Sequence, residues 1–336
     1  MNVLYSCDDK YCPYTGISIT SLFESNKDLD DINVYVLAHR ICEANAIKLN
    51  RLAKQYDRNI LILDAEEIDR FLTDHGVIIY QGSRATYYRL FVEQLIPKNI
   101  DRILYIDSDT IVVGSLANLD GFQFNESKAC AMTYERFFRG YNAYLGLKET
   151  DKYYMGGIIL FDMNNWRTLN CSEKILSAIN EGRTYFLTAD QDILNYSINE
   201  HIQVLPPKYN VLSDWAGMGV RHLHSFKDAS ESNFYSLSEI KDAMQNPVIL
   251  HCKKMSFVND VPWVHGNRNP FEQEWLKYKK LSLWHDIPTI VKKANKKDNI
   301  RKFLLLTLPR SLYLKITKYE TKRYITNYYR EDKQRG

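Results

Sequence analysis

The chain has 336 residues, 45% of them hydrophobic and 25% charged, which is the composition of a globular protein and excludes a largely disordered one. Its six cysteines are scattered without a Cys-x-x-Cys pair, which argues against a structural zinc site and suits buried thiols in a reducing compartment. Residues 291–336 hold 14 Lys or Arg and 4 Asp or Glu, a local charge of +10 within a total of +3, so the preceding 290 residues carry −7.

The first 115 residues alternate short apolar runs with helical patterns. We predict strands at 3–7, 32–38 and 59–64, helices at 13–24, 43–56 and about 85–95, and then a strand that ends at Asp107. This order is typical of an α/β fold with a mostly parallel sheet and helices on both faces. Ligands bind such sheets at the carboxyl ends of the strands, where Asp8, Asp9, Asp107 and Asp109 are expected. Because no Gly-x-Gly-x-x-Gly signature is present, a bound pyrophosphate would rely on metal rather than on a glycine loop.

An Asp-Ser-Asp triplet follows the apolar strand of RILYIDSDTIVV at 102–113. Because side chains alternate along a strand, Asp107 and Asp109 are expected on one face, about 7 Å apart along the backbone. Two such carboxylates repel each other unless a divalent cation lies between them, and carboxylate, water and substrate phosphate suit Mg²⁺ or Mn²⁺. The alternative interpretation is an acidic turn after a buried strand.

Three later segments are candidates to complete a site. YYMGGIILFDMNNWR at 153–167 is predicted as a turn of small residues that leads into an apolar strand, and its paired glycines allow a ligand close to the backbone. TADQDILN at 188–195 starts with a residue able to cap a helix and sets Asp190, Gln191 and Asp192 in the first turn. VILHCKK at 248–254 is a strand that ends in His251. The structural alternatives are a tight turn, an ordinary acidic helix start and a partly buried histidine.

The basic tail at 286–336 interleaves Leu, Phe and Tyr with Arg and Lys, and its apolar run at 303–308 is too short to span a bilayer. This pattern is typical of a segment that lies on an anionic membrane surface. A surface helix packed on the main domain and a basic arm for nucleic acid are the alternatives, and the acidic body argues against nucleic acid. The N-terminus enters a strand without a signal-peptide pattern. We therefore expect a cytoplasmic protein, peripheral at the inner face of the plasma membrane.

Together these segments resemble glycosyltransferase family 8, which includes glycogenin and bacterial lipopolysaccharide α-galactosyl- and α-glucosyltransferases. The matching elements occur in the family's order over about residues 1–285: SCDDKY, TYYRL, LYIDSDTIV, GGIILFDMNNWR, ADQDILN, ILH at 249–251 and Pro-Trp at 262–263. The resemblance implies a Rossmann-like GT-A fold at 1–285, with a nucleotide-binding half (1–115) and a sugar and acceptor half (116–285). It also implies a UDP-hexose donor, Mn²⁺ with Mg²⁺ as the alternative, and retention at the anomeric carbon.

Carried over to this sequence, the resemblance assigns Asp107, Asp109 and His251 as metal ligands, and the imidazole suits Mn²⁺ better than Mg²⁺. It implies that Asp190 accepts hydrogen bonds from sugar hydroxyls and that Gln191 lies beside the reacting face of the sugar. Tyr11 is the candidate to stack on uracil. The full set of implied donor-binding residues is Ser6, Asp8, Asp9, Lys10, Tyr11, Arg89, Asp107, Ser108 and Lys254.

Gln191 limits the mechanism, because a covalent glycosyl-enzyme normally needs a carboxylate nucleophile and an amide is a poor one. We therefore expect a front-face, ion-pair-like substitution. In it the departing diphosphate helps to deprotonate the incoming hydroxyl, and the carbonyl dipole of Gln191 stabilises the oxocarbenium-like carbon.

The chain departs from the family pattern at three places. Met155 stands where many members have an Asn that bonds the donor sugar, and a thioether offers no comparable donor. After His251 the family runs through a Gly and a Lys to Pro-Trp, whereas CKKMSFVNDV intervenes here, so the diphosphate lysine must be Lys253 or Lys254. The region 211–245 has few signals and is expected to form acceptor-side loops.

The sequence therefore predicts an enzyme, a retaining hexosyltransferase that moves glucose or galactose from a UDP-sugar to a glycan or glycolipid acceptor. The expected acceptors are lipopolysaccharide, capsule or a lipid-linked oligosaccharide of a bacterial surface. Two other classes stay open: a non-catalytic sugar-nucleotide-binding or scaffold protein, and a phosphohydrolase of the haloacid dehalogenase type. The latter has Thr or Val two residues after its second Asp, close to the start of the chain, whereas Ile111 holds that place here.

Overall fold

A computed structural model describes residues 1–183, 186–228, 233–254, 260–291 and 296–332. Its strands are β1 (Asn2–Asp8), β2 (Asn33–His39), β3 (Asn59–Asp64), β4 (Arg102–Ile106), β5 (Thr110–Val112), β6 (Cys130–Glu135), β7 (Tyr153–Asp162), β8 (Ile202–Val204), β9 (Val211–Leu212) and β10 (Ile249–His251). The larger sheet has the order β3-β2-β1-β4-β7-β6-β8, and a small sheet has the order β5-β10-β9. Strand β10 was predicted from 248–254, but its pairing in a small sheet was not, because the two- and three-residue strands β9 and β5 leave no periodic signal.

The helices in the described ranges alternate with the first strands, as predicted. They are α1 (Cys12–Ser25), α2 (Glu43–Gln55), α3 (Glu66–Asp74), α4 (Val92–Leu95), α5 (Ala117–Asp120), α6 (Met163–Thr168), α7 (Cys171–Asn180), α8 (Asp190–Ile198), α9 (Ser213–Met218), α10 (Val220–Lys227), α11 (Leu237–Gln245), α12 (Glu272–Leu281), α13 (Lys296–Thr307) and α14 (Arg310–Asp332). Short 3₁₀ helices lie at Ala85–Phe91, Asn142–Leu145, Asn199–His201 and Pro207–Tyr209.

The central strands are buried on both faces. Strands β3, β2, β1 and β4 run parallel, while β7 is antiparallel to β4 and β6. Along β1, Val3 and Tyr5 face the core cluster under α1 and α2, whereas Leu4 faces the opposite cluster with the 3₁₀ helix at Ala85–Phe91. This alternation puts apolar side chains against helices on both sides, which explains why the strands are continuously hydrophobic. The predicted α/β architecture is confirmed.

Several local predictions are wrong. The helix predicted at about 85–95 is present, but as a 3₁₀ helix that continues into α4. The paired glycines of 153–167 lie inside β7 and form no turn, because this strand is ten residues long and passes directly beside the candidate metal ligands. The described part of 211–245 contains β9, α9, α10 and α11 rather than loops. Five cysteines are buried thiols as expected, but Cys42 is exposed.

The basic tail forms two helices, α13 and α14, and α14 packs on the main body. Its side chains Tyr313, Leu314, Ile325 and Tyr329 are buried in the two core clusters. The alternative of a surface helix packed on the main domain is therefore what the structure shows for α14. Among the described residues, no helix is both long and apolar enough to cross a membrane.

Candidate active site

An open cleft lies at the sheet edge where β1 and β4 end. Strand β7 begins at the same edge because it runs antiparallel to β4. The lining residues come from the ends of β1 and β4, the start of α1 and the segment 80–89: Ser6, Cys7, Asp8, Tyr11, Tyr80, Gln81, Ser83, Ala85, Thr86, Arg89, Tyr105, Asp107, Ser108 and Asp109. The site therefore lies where a parallel α/β sheet is expected to bind ligands.

Asp107, Asp109 and His251 come together at this edge, and one ligand atom from each lies within 4.8 Å of the others. The Nε2 atom of His251 is 3.1 Å from Oδ1 of Asp109 and 3.8 Å from Oδ2 of Asp107. The two aspartates belong to the turn between β4 and β5, so the expectation that strand alternation aligns them is wrong. The turn brings the carboxylates to one side instead, and β10 supplies the histidine by pairing with β5.

The tautomer of His251 is set by Asn210. Nδ1 of His251 lies 2.9 Å from Oδ1 of Asn210, an oxygen that can only accept, so Nδ1 carries the proton and donates it. Asn210 is itself oriented, because its Nδ2 donates to Oγ1 of Thr133 over 2.9 Å. Nε2 of His251 faces two carboxylates, an arrangement that fits a divalent cation with an oriented second shell. No motif in the sequence marked Asn210.

The glycine pair in β7 has unequal surroundings. A Cβ atom on Gly157 would lie 2.4 Å from Cε1 of His251 and 3.0 Å from Oδ2 of Asp107. On Gly156 it would meet its nearest neighbour, in Gln191, at an ordinary 3.5 Å. Glycine is therefore required at position 157 because the strand backbone passes directly against the candidate metal ligands His251 and Asp107.

Arg89 joins the candidate metal-ligand group to the start of α8. Its Nη2 is 2.7 Å from Oδ1 of Asp107 and its Nε is 3.1 Å from Oδ2 of Asp190. The guanidinium carbon lies 4.0 Å from the ring centroid of Tyr105, whose hydroxyl also donates to Asp107 over 2.7 Å. Burial acts to lower the pKa of Arg89, but the carboxylates of Asp107 and Asp190 raise it above its ordinary value. Arg89 is thus a fixed cation shared by two carboxylates at the cleft wall.

Helix α8 presents the acidic segment as predicted, but its cap differs. The N-cap is Ala189, at φ 55° and ψ −124°, and not Thr188. Positive φ at a residue with a Cβ is strained, and such strain is commonly found at active sites. Burial raises the pKa of Asp190 to about 6, although Arg89 and a 2.6 Å hydrogen bond from Thr86 act in the opposite direction. Gln191, the next residue, is also buried.

Several predicted donor-binding residues line the cleft, namely Ser6, Asp8, Tyr11, Arg89, Asp107 and Ser108. Ser108 is held by a 2.8 Å hydrogen bond from Thr15, and Asp8 accepts from the backbone of Tyr11 over 2.8 Å. These bonds fix the loop after β1 against the Asp-Ser-Asp turn.

Other predicted residues lie outside the lining. The carboxylate of Asp9 accepts from the N–H of Cys42 and from Asn45, which anchors the start of α2. Lys10 and Lys254 are exposed. Their contact with a donor stays a prediction. Of the two lysine candidates, Lys253 lies 3.7 Å from the buried Glu135, and that carboxylate raises the pKa of Lys253 although burial acts to lower it. Most of the inserted segment after Lys254 lies outside the described residues.

Solved structures of similar fold are glycosyltransferases. The galactosyltransferase LgtC, in complex with donor and acceptor sugar analogues, matches with a TM-score of 0.67 and 19% identity over 90% of this chain and 100% of its own. The bifunctional glycosyltransferase WbbM matches with a TM-score of 0.67 and 20% identity, over 84% of this chain and 50% of its own. The fold is therefore the GT-A fold of glycosyltransferases.

Comparison at the level of sequence identifies the family within this fold. The model of the family described as Glycosyl transferase family 8 matches residues 2–255, so the chain belongs to that family. A putative glycosyltransferase of Haemophilus influenzae is 32% identical over 62% of this chain and 63% of its own length. A lipopolysaccharide 1,2-glucosyltransferase of Escherichia coli is 27% identical over 63% and 62%, and a lipopolysaccharide 1,3-galactosyltransferase of Salmonella typhimurium is 23% identical over 84% and 79%. The family resemblance stated from the motifs is confirmed.

Proposed function

We propose that this family 8 glycosyltransferase is a retaining hexosyltransferase that uses a UDP-sugar and Mn²⁺. The observation that carries the proposal is the group of Asp107, Asp109 and His251, with Nε2 of the imidazole turned toward two carboxylates beside an open cleft. Carboxylates that face each other are stabilised by a divalent cation between them, and the mixed oxygen and imidazole set favours Mn²⁺ over Mg²⁺. When bound, the cation offsets the negative charge that develops on the departing diphosphate.

The cleft residues bind and orient the donor in this proposal. Tyr11 offers an aromatic face to uracil, while the loop after β1 and Ser108 supply polar groups for the ribose and phosphates. Arg89 is a positioning residue, because its guanidinium is already bonded to Asp107 and Asp190. Asp190, kept ionised above about pH 6, accepts hydrogen bonds from sugar hydroxyls.

Chemistry then proceeds on one face of the sugar. The bond from the anomeric carbon to the diphosphate oxygen breaks, and the acceptor hydroxyl forms its bond on the same side while its proton passes to the departing diphosphate. Gln191 supplies a carbonyl dipole beside the cationic carbon. Asp192, the other carboxylate in the turn, is fully buried and saturated with hydrogen bonds, which supports a mechanism without a carboxylate nucleophile.

The donor hexose is proposed to be glucose or galactose, and the acceptor a bacterial surface glycan. The support comes from two relatives, a lipopolysaccharide glucosyltransferase and a lipopolysaccharide galactosyltransferase. Met155 is buried in β7 within a core cluster, and its thioether offers no hydrogen-bond donor comparable to the amide of an asparagine. The sugar preference therefore rests on Asp190 and the backbone more than on residue 155.

Turnover of UDP-glucose and UDP-galactose with Mn²⁺, compared with the same mixtures in excess chelator, tests the proposal. Transfer or slow donor hydrolysis that depends on the metal supports it. Binding of UDP without turnover of any donor would instead indicate a scaffold that keeps the fold. Mass spectrometry that finds a glycosyl adduct on Asp190 or Asp192 would overturn the front-face mechanism while leaving the transferase assignment intact.

The tail helices suggest where the protein works. Phe303 and Leu306 on α13 are 63% and 67% exposed, within a segment of strongly positive charge. We propose that this surface lies on an anionic membrane at the cytoplasmic face, close to a glycolipid acceptor. Deleting residues 291–336 is an unsuitable test, because it would also remove the buried side chains of α14.

Point variants test membrane binding more cleanly. The double variant Phe303→Asp and Leu306→Asp should lose sedimentation with vesicles that contain phosphatidylglycerol but keep donor hydrolysis. Leu61→Asp, at a position 49% exposed on β3, is the matched control and should sediment like the wild type. Equal vesicle binding by the double variant and the control would refute the membrane surface.

A further inference from the structure

Asp192 lies at the centre of a closed group of phenols. Its side chain is fully buried and accepts from the hydroxyl of Tyr153 over 2.6 Å, from the hydroxyl of Tyr141 over 2.9 Å and from the backbone N–H of Thr188 over 2.9 Å. The hydroxyl of Tyr329 donates to it over 3.4 Å. Each of these donors is uncharged. We call Asp192 with Tyr141, Tyr153 and Tyr329 the phenol cage.

The phenol cage fixes a direction for every proton in it. An ionised carboxylate can only accept, so the single proton of Tyr153 must point to Asp192. The oxygen of Tyr153 is then left with acceptor capacity alone, and Nε2 of Gln191 donates to it over 2.8 Å. The other end of that amide, Oε1, consequently faces Gly156 and accepts from its N–H over 3.1 Å. The amide of Gln191 thus has one permitted orientation.

The C-terminal helix supplies one wall of the phenol cage. The ring of Tyr329 stacks on Tyr144 with centroids 4.5 Å apart and an interplanar angle of 7°. Ile325, one turn earlier on α14, is buried in the same core cluster. The hydroxyl of Tyr144 donates to Thr326 and not to Asp192. Helix α14 therefore reaches within two hydrogen bonds of the Tyr153–Gln191 contact.

A carboxylate is an unexpected choice for a merely structural group. Burial raises the pKa of Asp192, because the charged form is costly to desolvate, and uncharged donors offset that cost only in part. An asparagine in its place could donate as well as accept, so it would not force the phenols to point inward. The negative charge of Asp192 makes the hydroxyl of Tyr153 donate toward it, and this in turn sets the orientation of the Gln191 amide.

We propose that Asp192 and Tyr153 are positioning residues that hold the amide of Gln191 with its carbonyl toward Gly156, and that α14 closes this arrangement through Tyr329. The inference rests on the proposed function in that Gln191 acts beside the reacting carbon. The basic tail then has a second role besides any membrane contact. It completes the support of a catalytic side chain.

Kinetics of matched Tyr→Phe variants test the proposal. Tyr153→Phe should lower kcat roughly 10-fold to 100-fold, because a misoriented catalytic group loses rate without loss of binding. The KM for the donor and the affinity for UDP with Mn²⁺ should stay within about twofold of the wild type. The residues assigned to binding of the nucleotide and the metal do not include Gln191. Tyr329→Phe should lower kcat by only about two- to fivefold, because the hydrogen bond that it removes is long, at 3.4 Å, and therefore weak. Tyr144→Phe, whose hydroxyl lies outside the phenol cage, should match the wild type.

Two outcomes would overturn the proposal. One is a kcat for Tyr153→Phe within twofold of that for Tyr144→Phe, and the other is a loss confined to KM. If Tyr153→Phe does not fold, Asp192→Asn replaces it, with the same expected drop in kcat. Asp192→Glu keeps a carboxylate on a longer side chain, which displaces the acceptor oxygens from the phenol hydroxyls. This variant should therefore not reach the kcat of the wild type.

A spectroscopic measurement separates this inference from the proposed function. The ¹⁵N side-chain amide resonance of Gln191, assigned by its absence in Gln191→Glu, should shift and exchange faster in Tyr153→Phe than in Tyr144→Phe. This readout needs no substrate, so it holds even if no UDP-sugar is turned over. An unchanged resonance in Tyr153→Phe would refute the positioning role, whereas absent turnover with a shifted resonance would refute only the enzyme assignment.

Discussion

Asp190 and Asp192 lie two residues apart in the first turn of α8, both are buried, and their charges are satisfied in opposite ways. Asp190 pairs with the guanidinium of Arg89, which it shares with Asp107 at the cleft wall. Asp192 receives only uncharged donors inside the phenol cage. The side that holds Arg89, Asp107 and Asp109, which we call the cation side, borders the open cleft. The side that holds the phenol cage is closed.

The difference shows how one helix start serves two purposes. Charges that must respond to a ligand are best paired with other charges, since a cation, a guanidinium and a diphosphate can exchange partners there. A charge that must only hold a shape is best surrounded by fixed dipoles, because these need no reorganisation during the reaction. Gln191 lies between the two and takes its orientation from the closed side.

The largest effect expected is from removing a ligand on the cation side. Asp109→Asn should reduce transfer by about 10³-fold, because the site loses a charged ligand and with it the offset for the departing diphosphate. Calorimetric titration with Mn²⁺ should show the same loss of affinity. Asp120→Asn, at an exposed carboxylate on α5, is the control. Undiminished Mn²⁺ binding by Asp109→Asn would break the contrast between the two sides.

The glycine pair of β7 tests the geometry of the cation side without changing a ligand. Gly157→Ala should lower Mn²⁺ affinity and activity by roughly 100-fold, because its Cβ would displace the imidazole of His251. Gly156→Ala adds the same methyl at ordinary contact distances and should stay close to the wild type. The measurement is Mn²⁺ titration of both variants. Equal loss in the two would mean that the close approach at Gly157 is unimportant.

The pH dependence of stability sharpens the comparison from the Asp190 side. The folded protein holds the proton of Asp190 more tightly than the unfolded chain does, since burial raises its pKa from 3.8 to about 6. Its contribution to the free energy of unfolding is therefore fully present below about pH 4 and lost as the pH rises to about 6, a change of roughly 3 kcal/mol. Denaturant unfolding of wild type and Asp190→Asn at several pH values measures it. A difference between the two proteins that does not vary from pH 4 to 7 would contradict the assignment.

The smallest effect concerns the backbone that carries both carboxylates. Ala189→Gly should raise the free energy of unfolding by about 1 kcal/mol, because glycine adopts positive φ without the strain of a Cβ. Ala178→Gly, buried within α7 at ordinary helical geometry, should instead lose about 1 kcal/mol. Thermal unfolding followed by circular dichroism compares them. A loss in both variants would show that Ala189 is not strained.

Much of this arrangement could be predicted from the sequence. The alternation of apolar runs and helical patterns predicted the parallel strands β1 to β4, because a strand covered on both faces must be continuously hydrophobic. Asp107, Asp109 and His251 were predicted to meet, although they are far apart in the chain, from motifs whose order matched a known family. Their separate positions were informative because each follows or ends a strand.

Contacts that depend on three-dimensional packing could not be predicted in this way. Asn210 sets the tautomer of His251 from a region without a motif, and Arg89 joins two carboxylates by a geometry that no spacing encodes. The glycines of 153–167 were predicted to form a turn, because glycine generally weakens or interrupts a strand. Glycine is needed at position 157 because the imidazole of His251, about a hundred residues away along the chain, packs against it.

The sequence by itself determined the fold class, the family and the identity of the charged residues at the sheet edge, because these depend on local periodicity and on residue type. Only the tertiary structure decided which atoms face one another. It turned Nε2 of His251 toward the carboxylates, enclosed Asp192 in phenols and brought Tyr329 from the far end of the chain against α8. Direction and proximity arise from packing, and packing brings together residues whose distance along the chain carries no information about their contact.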